Sequence, residues 1–134
     1  MRKVMYITTA AALALFIGAG AYAEHAIPED QIDNQKIYLG NPADFEKAGE
    51  IDFMEVVKAT PEYKDIQRKN IDQGTGEYWI GMDRASARAE NAVVSVTEEE
   101  DYDLVTKKGY LAEVDEDIPV EDITGEVVST IEEE

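Results

Sequence analysis

The chain has 134 residues, no cysteine, and thirty acidic residues against twelve basic ones, for a formal charge of −18. Disulfides and a cysteine-linked lipid anchor are thereby excluded, and nucleic acid and anionic lipid are poor partners because like charge repels them. The acids are unevenly placed: residues 97–134 hold fifteen against Lys107 and Lys108, which suits a highly soluble or salt-tolerant protein, or one that meets a cationic partner.

Residues 1–23 begin with Arg2 and Lys3, continue as an apolar stretch and end in Ala21-Tyr22-Ala23. A charged start, an apolar core and a small-x-small ending predict a signal peptide cut near Ala23, and so an exported or periplasmic protein. The alternative is an uncleaved anchor, since residues 4–23 are nearly long enough to span a bilayer. Cleavage would leave 111 residues, one domain with a modest core, and a charge of −20 once Arg2 and Lys3 are gone.

Residues 24–50 read as an extended lead-in: 24–35 mobile, 36–40 a short strand candidate halted by Gly40, Asn41 and Pro42, and the stretch from Asn41 a turn with one helical turn before a brief extended piece around Ile51. From Phe53 the apolar spacing becomes helical. Thr60-Pro61-Glu62 is a helix start, with a capping hydroxyl, proline at the first helical position and an acid near the positive end of the helix dipole. A short helix (53–59), a break and a second helix (61–71) are therefore expected. The stretch DQGTGE supplies a turn, with Thr75 free to cap the next helix.

That helix, 76–99, gives the strongest signal. Tyr78, Met82, Ala85, Ala89, Ala92 and Val96 follow a 4, 3, 4, 3, 4 spacing, a heptad seam whose alanines allow close approach of a neighbouring helix. With the preceding helices it should form an antiparallel hairpin, a short coiled-coil arm. Trp79 is expected to cover the hairpin's own apolar side against Ile66 and Ile71; the alternative makes Tyr78 and Trp79 contact residues for a binding partner. The acids 98–101 oppose the dipole at the helix end and help it stop. The segments 102–106 and 110–114 then read as a β-hairpin around Lys107-Lys108-Gly109, and 114–122 as a loop. Asp122 should cap a last helix carrying Ile123, Val127, Val128 and Ile131, with 132–134 a solvated acidic tail. The expected fold is α+β: a helical hairpin on a small antiparallel β body with a C-terminal helix.

Chemistry-bearing constellations are sparse. His25 is the single histidine, no glycine-rich phosphate loop or nucleophile–base set is present, and the acid runs lack the alternating oxygen ligands and central glycine of a calcium loop. The expectation is a non-enzymatic protein without metal, cofactor or small-molecule substrate.

In order along the chain, IDFMEVVKATPEYK (51–64), VVSVTEEEDYDLVTKKGYL (93–111) and DITGEVV (122–128) resemble the Skp/OmpH family of periplasmic chaperones. The resemblance marks 51–131 as the family's domain. It implies a sheet-containing body that trimerises, with helical arms that hold unfolded outer-membrane proteins, and in that reading Tyr102, Leu104, Tyr110 and Leu111 serve both core and subunit interface. The chain departs from the family in its short arm, its acidity and its weakly apolar first strand. A small body with this charge should be marginal alone, which also points to a homo-oligomer. The alternative function is an acidic oligomeric structural protein of the envelope without a client.

Overall fold

A computed structural model describes residues 24–134; the signal peptide expected at 1–23 lies outside the described residues. Within them the fold is α+β, with a four-stranded sheet and five α-helices. The strands are β1 (Ile37–Gly40), β2 (Ala48–Ile51), β3 (Leu104–Lys107) and β4 (Val120–Asp122), in the order β1-β3-β2-β4. Only β1 and β3 run antiparallel; β3, β2 and β4 are mutually parallel neighbours. The sheet is thus mixed rather than antiparallel. Parallel neighbours cannot be joined by a tight turn, so the chain between β2 and β3 must cross over a face of the sheet.

The helical hairpin is that crossover. Helices α1 (Phe53–Ala59), α2 (Pro61–Arg68) and α3 (Gly76–Glu100) follow β2 directly. As the sequence predicts, the Thr60 and Thr75 hydroxyls accept from the backbone N–H groups of Tyr63 (3.1 Å) and Tyr78 (3.3 Å), with Pro61 opening α2. The expected seam holds too: Ala85, Ala89, Ala92 and Val96 are buried. They join Ile51, Val56, Val57, Val105 and residues of the closing helix α5 (Thr124–Glu132) in one core. Alternation along the strands sends Ile51 and Val105 to this face and their neighbours Ala48 and Leu104 to the other.

The opposite face corrects two expectations. Residues 110–114 are not a strand but helix α4 (Tyr110–Val114), entered through Gly109 at φ 88°. Adjacent residues of a strand point to opposite faces, whereas Tyr110 and Leu111 are both buried in the same small core with Ile27, Phe45, Leu104 and Ile118. One helical turn satisfies that demand and a β-hairpin does not. The lead-in, read as mobile, supplies the rest of this core. His25 and Phe45 form a backbone bridge (2.6 and 3.0 Å), and Ile27 is buried. The Tyr110 hydroxyl donates to the Gln31 carbonyl (2.6 Å) and accepts from the Asp33 N–H (2.9 Å).

Smaller differences follow from local geometry. Residues 120–122, read as loop, are the edge strand β4. Asp122 does not cap α5 as its N-terminal residue; its carboxylate accepts from both the N–H and the hydroxyl of Thr124 (3.0 and 2.7 Å). That hydroxyl in turn accepts from the Asp52 N–H (3.0 Å), tying the starts of α1 and α5 together. Helices α2 and α3 stop at left-handed residues, Asn70 (φ 51°) and Asp101 (φ 60°). Bonds from Ile71 N–H to the Ile66 carbonyl and from Tyr102 N–H to the Thr97 carbonyl complete each C-terminal motif. The acidic end of α3 is relieved from outside the helix: the Lys47 ammonium donates to the Glu100 carbonyl and sits 4.5 Å above the Tyr102 ring. The Asp103 carboxylate meanwhile accepts from the N–H groups of Glu46 (2.7 Å) and Lys47 (2.8 Å).

Gly40 ends β1 at φ 96°, where an added Cβ would lie 2.1 Å from the Asp103 carbonyl oxygen. Gly40→Ala should therefore destabilise the fold by about 2–3 kcal/mol, combining backbone strain with a clash against β3. Urea denaturation followed by circular dichroism measures this; a change within about 0.5 kcal/mol would show that this junction is not closely packed.

Candidate functional site

The free end of the hairpin lies between α2 and α3. Its turn is internally bonded, with the Asp72 carboxylate accepting from Gly74 N–H (2.8 Å) and the Thr75 hydroxyl donating to the Asp72 carbonyl (2.7 Å). Beyond it Trp79 and Ile80 are 61% and 56% exposed. Tyr78 is half-buried and meets Trp79 edge to face at 5.2 Å.

Trp79 does not pack on Ile66 and Ile71. The side of α3 that meets α2 is marked by Gly81, where an added Cβ would lie 2.8 Å from Ile66 Cδ1. At about 100° per residue Trp79 lies some 200° from Gly81, on the other side of the helix. Of the two expected contact residues, Trp79 is presented to solvent and Tyr78 supports it.

A second apolar surface sits on the body and was not expected. Tyr38 and Phe53 stack at 5.3 Å between ring centroids. With Leu39, Glu90, Val93 and Val94 they line a shallow cavity of about 190 Å³. The register of β1 slips between Ile37 and Leu39, so Tyr38 occupies a bulge; a bulge re-aims the side chain it carries. Neither Tyr38 in a four-residue strand nor Phe53 at a helix start signals such a groove in the sequence. The charge is uneven along the hairpin as well: residues 53–89 carry six acids and six basic residues, whereas the C-terminal part of α3 adds Glu90, Glu98, Glu99 and Glu100 with no base.

The four residues assigned to a subunit interface lie elsewhere. Tyr102, Leu104, Tyr110 and Leu111 are all buried within the single chain. The Tyr102 hydroxyl donates to Glu121, and burial together with that carboxylate holds its pKa well above the ordinary tyrosine value. The structure brings these residues to the two core faces of the sheet and leaves none at the surface. Among the described residues no group of three or more His, Asp or Glu side chains is placed to hold a metal ion.

Arg88 braces the arm against the body. Its guanidinium donates through Nε and Nη2 to the Glu62 carboxylate (2.7 and 2.8 Å) and through Nη1 to Glu134 (2.7 Å). The residues read as a solvated tail are thus tied in. The hydrogen bond from Arg88 is the main reason that Glu62 titrates below its ordinary value of 4.5, and Arg88 is held correspondingly more basic.

Comparison with protein-family models, with curated proteins and with solved structures finds no match.

Two outcomes test this geometry. Trp79→Ala should change folding stability by less than about 0.5 kcal/mol, as for an exposed side chain, where a core tryptophan would cost about 3–5 kcal/mol. Tryptophan emission of the parent protein should be that of a solvated indole. The second outcome concerns acid. A carboxylate whose folded pKa is depressed stabilises the fold above its unfolded pKa, here about 4.5, and that contribution is lost as pH falls through the depressed value. Between about pH 6 and about pH 3 the urea midpoint of Arg88→Gln should therefore fall less than that of the parent; equal acid sensitivity would mean that the pair does not bias folding.

Proposed function

We propose that this is an exported, non-enzymatic binding protein of the cell envelope, a short-armed relative of the Skp/OmpH chaperones that holds or escorts unfolded protein segments through the tip of its helical hairpin. The observation that carries this reading is the exposure of Trp79 and Ile80 side by side at the free end of a braced arm. An indole held in solvent has no folding role to explain its presence, and aromatic residues with a polar handle are favoured anchors in protein recognition. The connectivity gives further support: β2, the helical hairpin, the parallel strand β3 and, after α4 and β4, the closing helix α5 come in the order of the three quoted segments.

The arm has limits that shape the mechanism. Helix α3 is 25 residues long, about 37 Å, and a large part of that length packs on the sheet. A client is accordingly gripped at a short apolar stretch rather than enclosed. Periplasmic localisation and self-association belong to the same proposal, and in this fold a subunit contact would have to use surfaces other than the buried Tyr102, Leu104, Tyr110 and Leu111.

Titration with an urea-unfolded outer-membrane protein, diluted into buffer, tests the reading. Trp79 emission should shift to the blue as the indole leaves water, and Trp79→Ala should weaken binding by about 2 kcal/mol or more, the loss typical of a hot-spot aromatic. Unchanged emission together with unchanged aggregation of the client would remove the chaperone reading.

A further inference from the structure

The tip and the body groove lie on the same flank of one helix. From Trp79 to Val94 is fifteen residues, about 22 Å along α3, and their directions differ by only about 60° around the helix axis. Glu90, a groove residue, points within about 20° of Trp79. The groove at the far end offers Tyr38, Phe53 and Val94, the last 39% exposed. Between the two apolar ends this flank carries Asp83 and Glu90 and no basic residue. Arg84 and Arg88 fall on the other flank, where they line the clefts shared with Glu62.

We infer that this flank is a two-ended track for an extended, cationic polypeptide segment, with one apolar anchor seated at Trp79, a second in the Tyr38–Phe53–Val94 groove, and lysine or arginine side chains between them facing Asp83 and Glu90. The inference rests on the tip-binding reading above and adds a second subsite and a client class. Charge identifies the occupant. An acidic segment would meet two carboxylates on the track and, beyond residues 53–89, a strongly acidic remainder of the molecule, whereas a basic one is drawn to both. Length sets the register: an extended chain advances about 3.3 Å per residue, so anchors about seven residues apart span the track. A client with anchors closer together reaches one end only. The two ends then act as linked weak sites, which raises affinity without any new contact.

Three synthetic tryptophan-free peptides of equal length test this, with Trp79 emission and dye-peptide anisotropy as readouts. The first has two Phe-Leu anchors about seven residues apart, matching the track, with a Lys/Ser spacer. The second has the same composition with the anchors adjacent, and the third has Glu in place of Lys. The first peptide should bind about tenfold more tightly than either of the others. Val94→Ser, an exposed substitution whose folding is checked by circular dichroism, should abolish the advantage over the adjacent-anchor peptide. Glu90→Gln should reduce the advantage over the Glu peptide, as should raising ionic strength from about 0.1 to about 1 M. If all three peptides shift Trp79 with equal affinity, the tip binds alone: the proposed function stands and the track is overturned. If no peptide and no unfolded client shifts Trp79, both fall. If Trp79 emission changes on dilution of the protein by itself, the flank is covered by a second copy and the track is overturned.

Discussion

The parallel pairing of β2 with β3 is the constraint from which the rest of the structure follows. Ala48–Ile51 lies beside Leu104–Lys107 in matched direction, with Gly49 opposite Val105. Two strands so far apart in sequence close a long loop, and loop closure costs entropy that only subsequent burial can offset. The chain meets that cost by filling the loop with helices whose apolar faces land on the sheet. Ile51 and Val105 supply the floor, and the alanine seam of α3 comes down on it closely because alanine carries no bulk to hold the helix off. A helix C-terminus delivered straight into the next strand then has to carry Glu98, Glu99, Glu100 and Asp101. Lys47, one residue before β2, reaches that terminus, and Asp103 bonds back to the chain around Lys47, so the electrostatic repair and the strand pairing occur at one junction.

This arrangement divides the molecule into a part that is packed on both faces of a sheet and a part that is not. The sheet has α1, α3 and α5 on one side and the lead-in with α4 on the other. The end of the hairpin is held by α2 against α3, through the Ile66–Gly81 contact and the nearby Arg88 brace, with no sheet beneath it. Local opening is cheapest where few apolar contacts close over the backbone, so the tip should open before the packed lead-in of residues 24–50. The charge follows the same division. Residues 53–89 are neutral and aromatic at the tip while the rest of the described chain is acidic, so a partner reaching the tip meets apolar surface first and a long-range attraction or repulsion according to its own sign.

Much of this was legible from residues alone where a repeating pattern existed. The seam from Tyr78 to Val96 fixes the buried side of α3, and Thr60-Pro61 and Thr75 fix two helix starts through chemistry that needs no tertiary context. The seam also held the answer for Trp79, since a residue one step from Tyr78 is rotated about 100° off the buried direction; the aromatic character of the side chain outweighed its phase. Elsewhere no pattern was present to read. YLAEV serves a short strand and a short helix equally well, and only the shared burial of Tyr110 and Leu111 decides between them. The lead-in lacks periodicity because its order comes from single contacts, Ile27, Phe45 and the Tyr110 hydroxyl, rather than from a face. Asn70 and Asp101 take left-handed conformations usually marked by glycine, and the groove at Tyr38 depends on a bulge.

Native-state hydrogen exchange tests the central claim most directly. If the β2–β3 pairing and the α3 seam form the cooperative unit, the amides of Leu104–Lys107 and of residues 85–97 should exchange slowest, near the rate of global unfolding. Those of residues 70–80 should exchange well before them, with the N–H groups of Asp33 and Phe45 showing protection because the lead-in is part of the fold. Fast exchange across β3, or an unprotected lead-in beside a protected hairpin tip, would contradict the account.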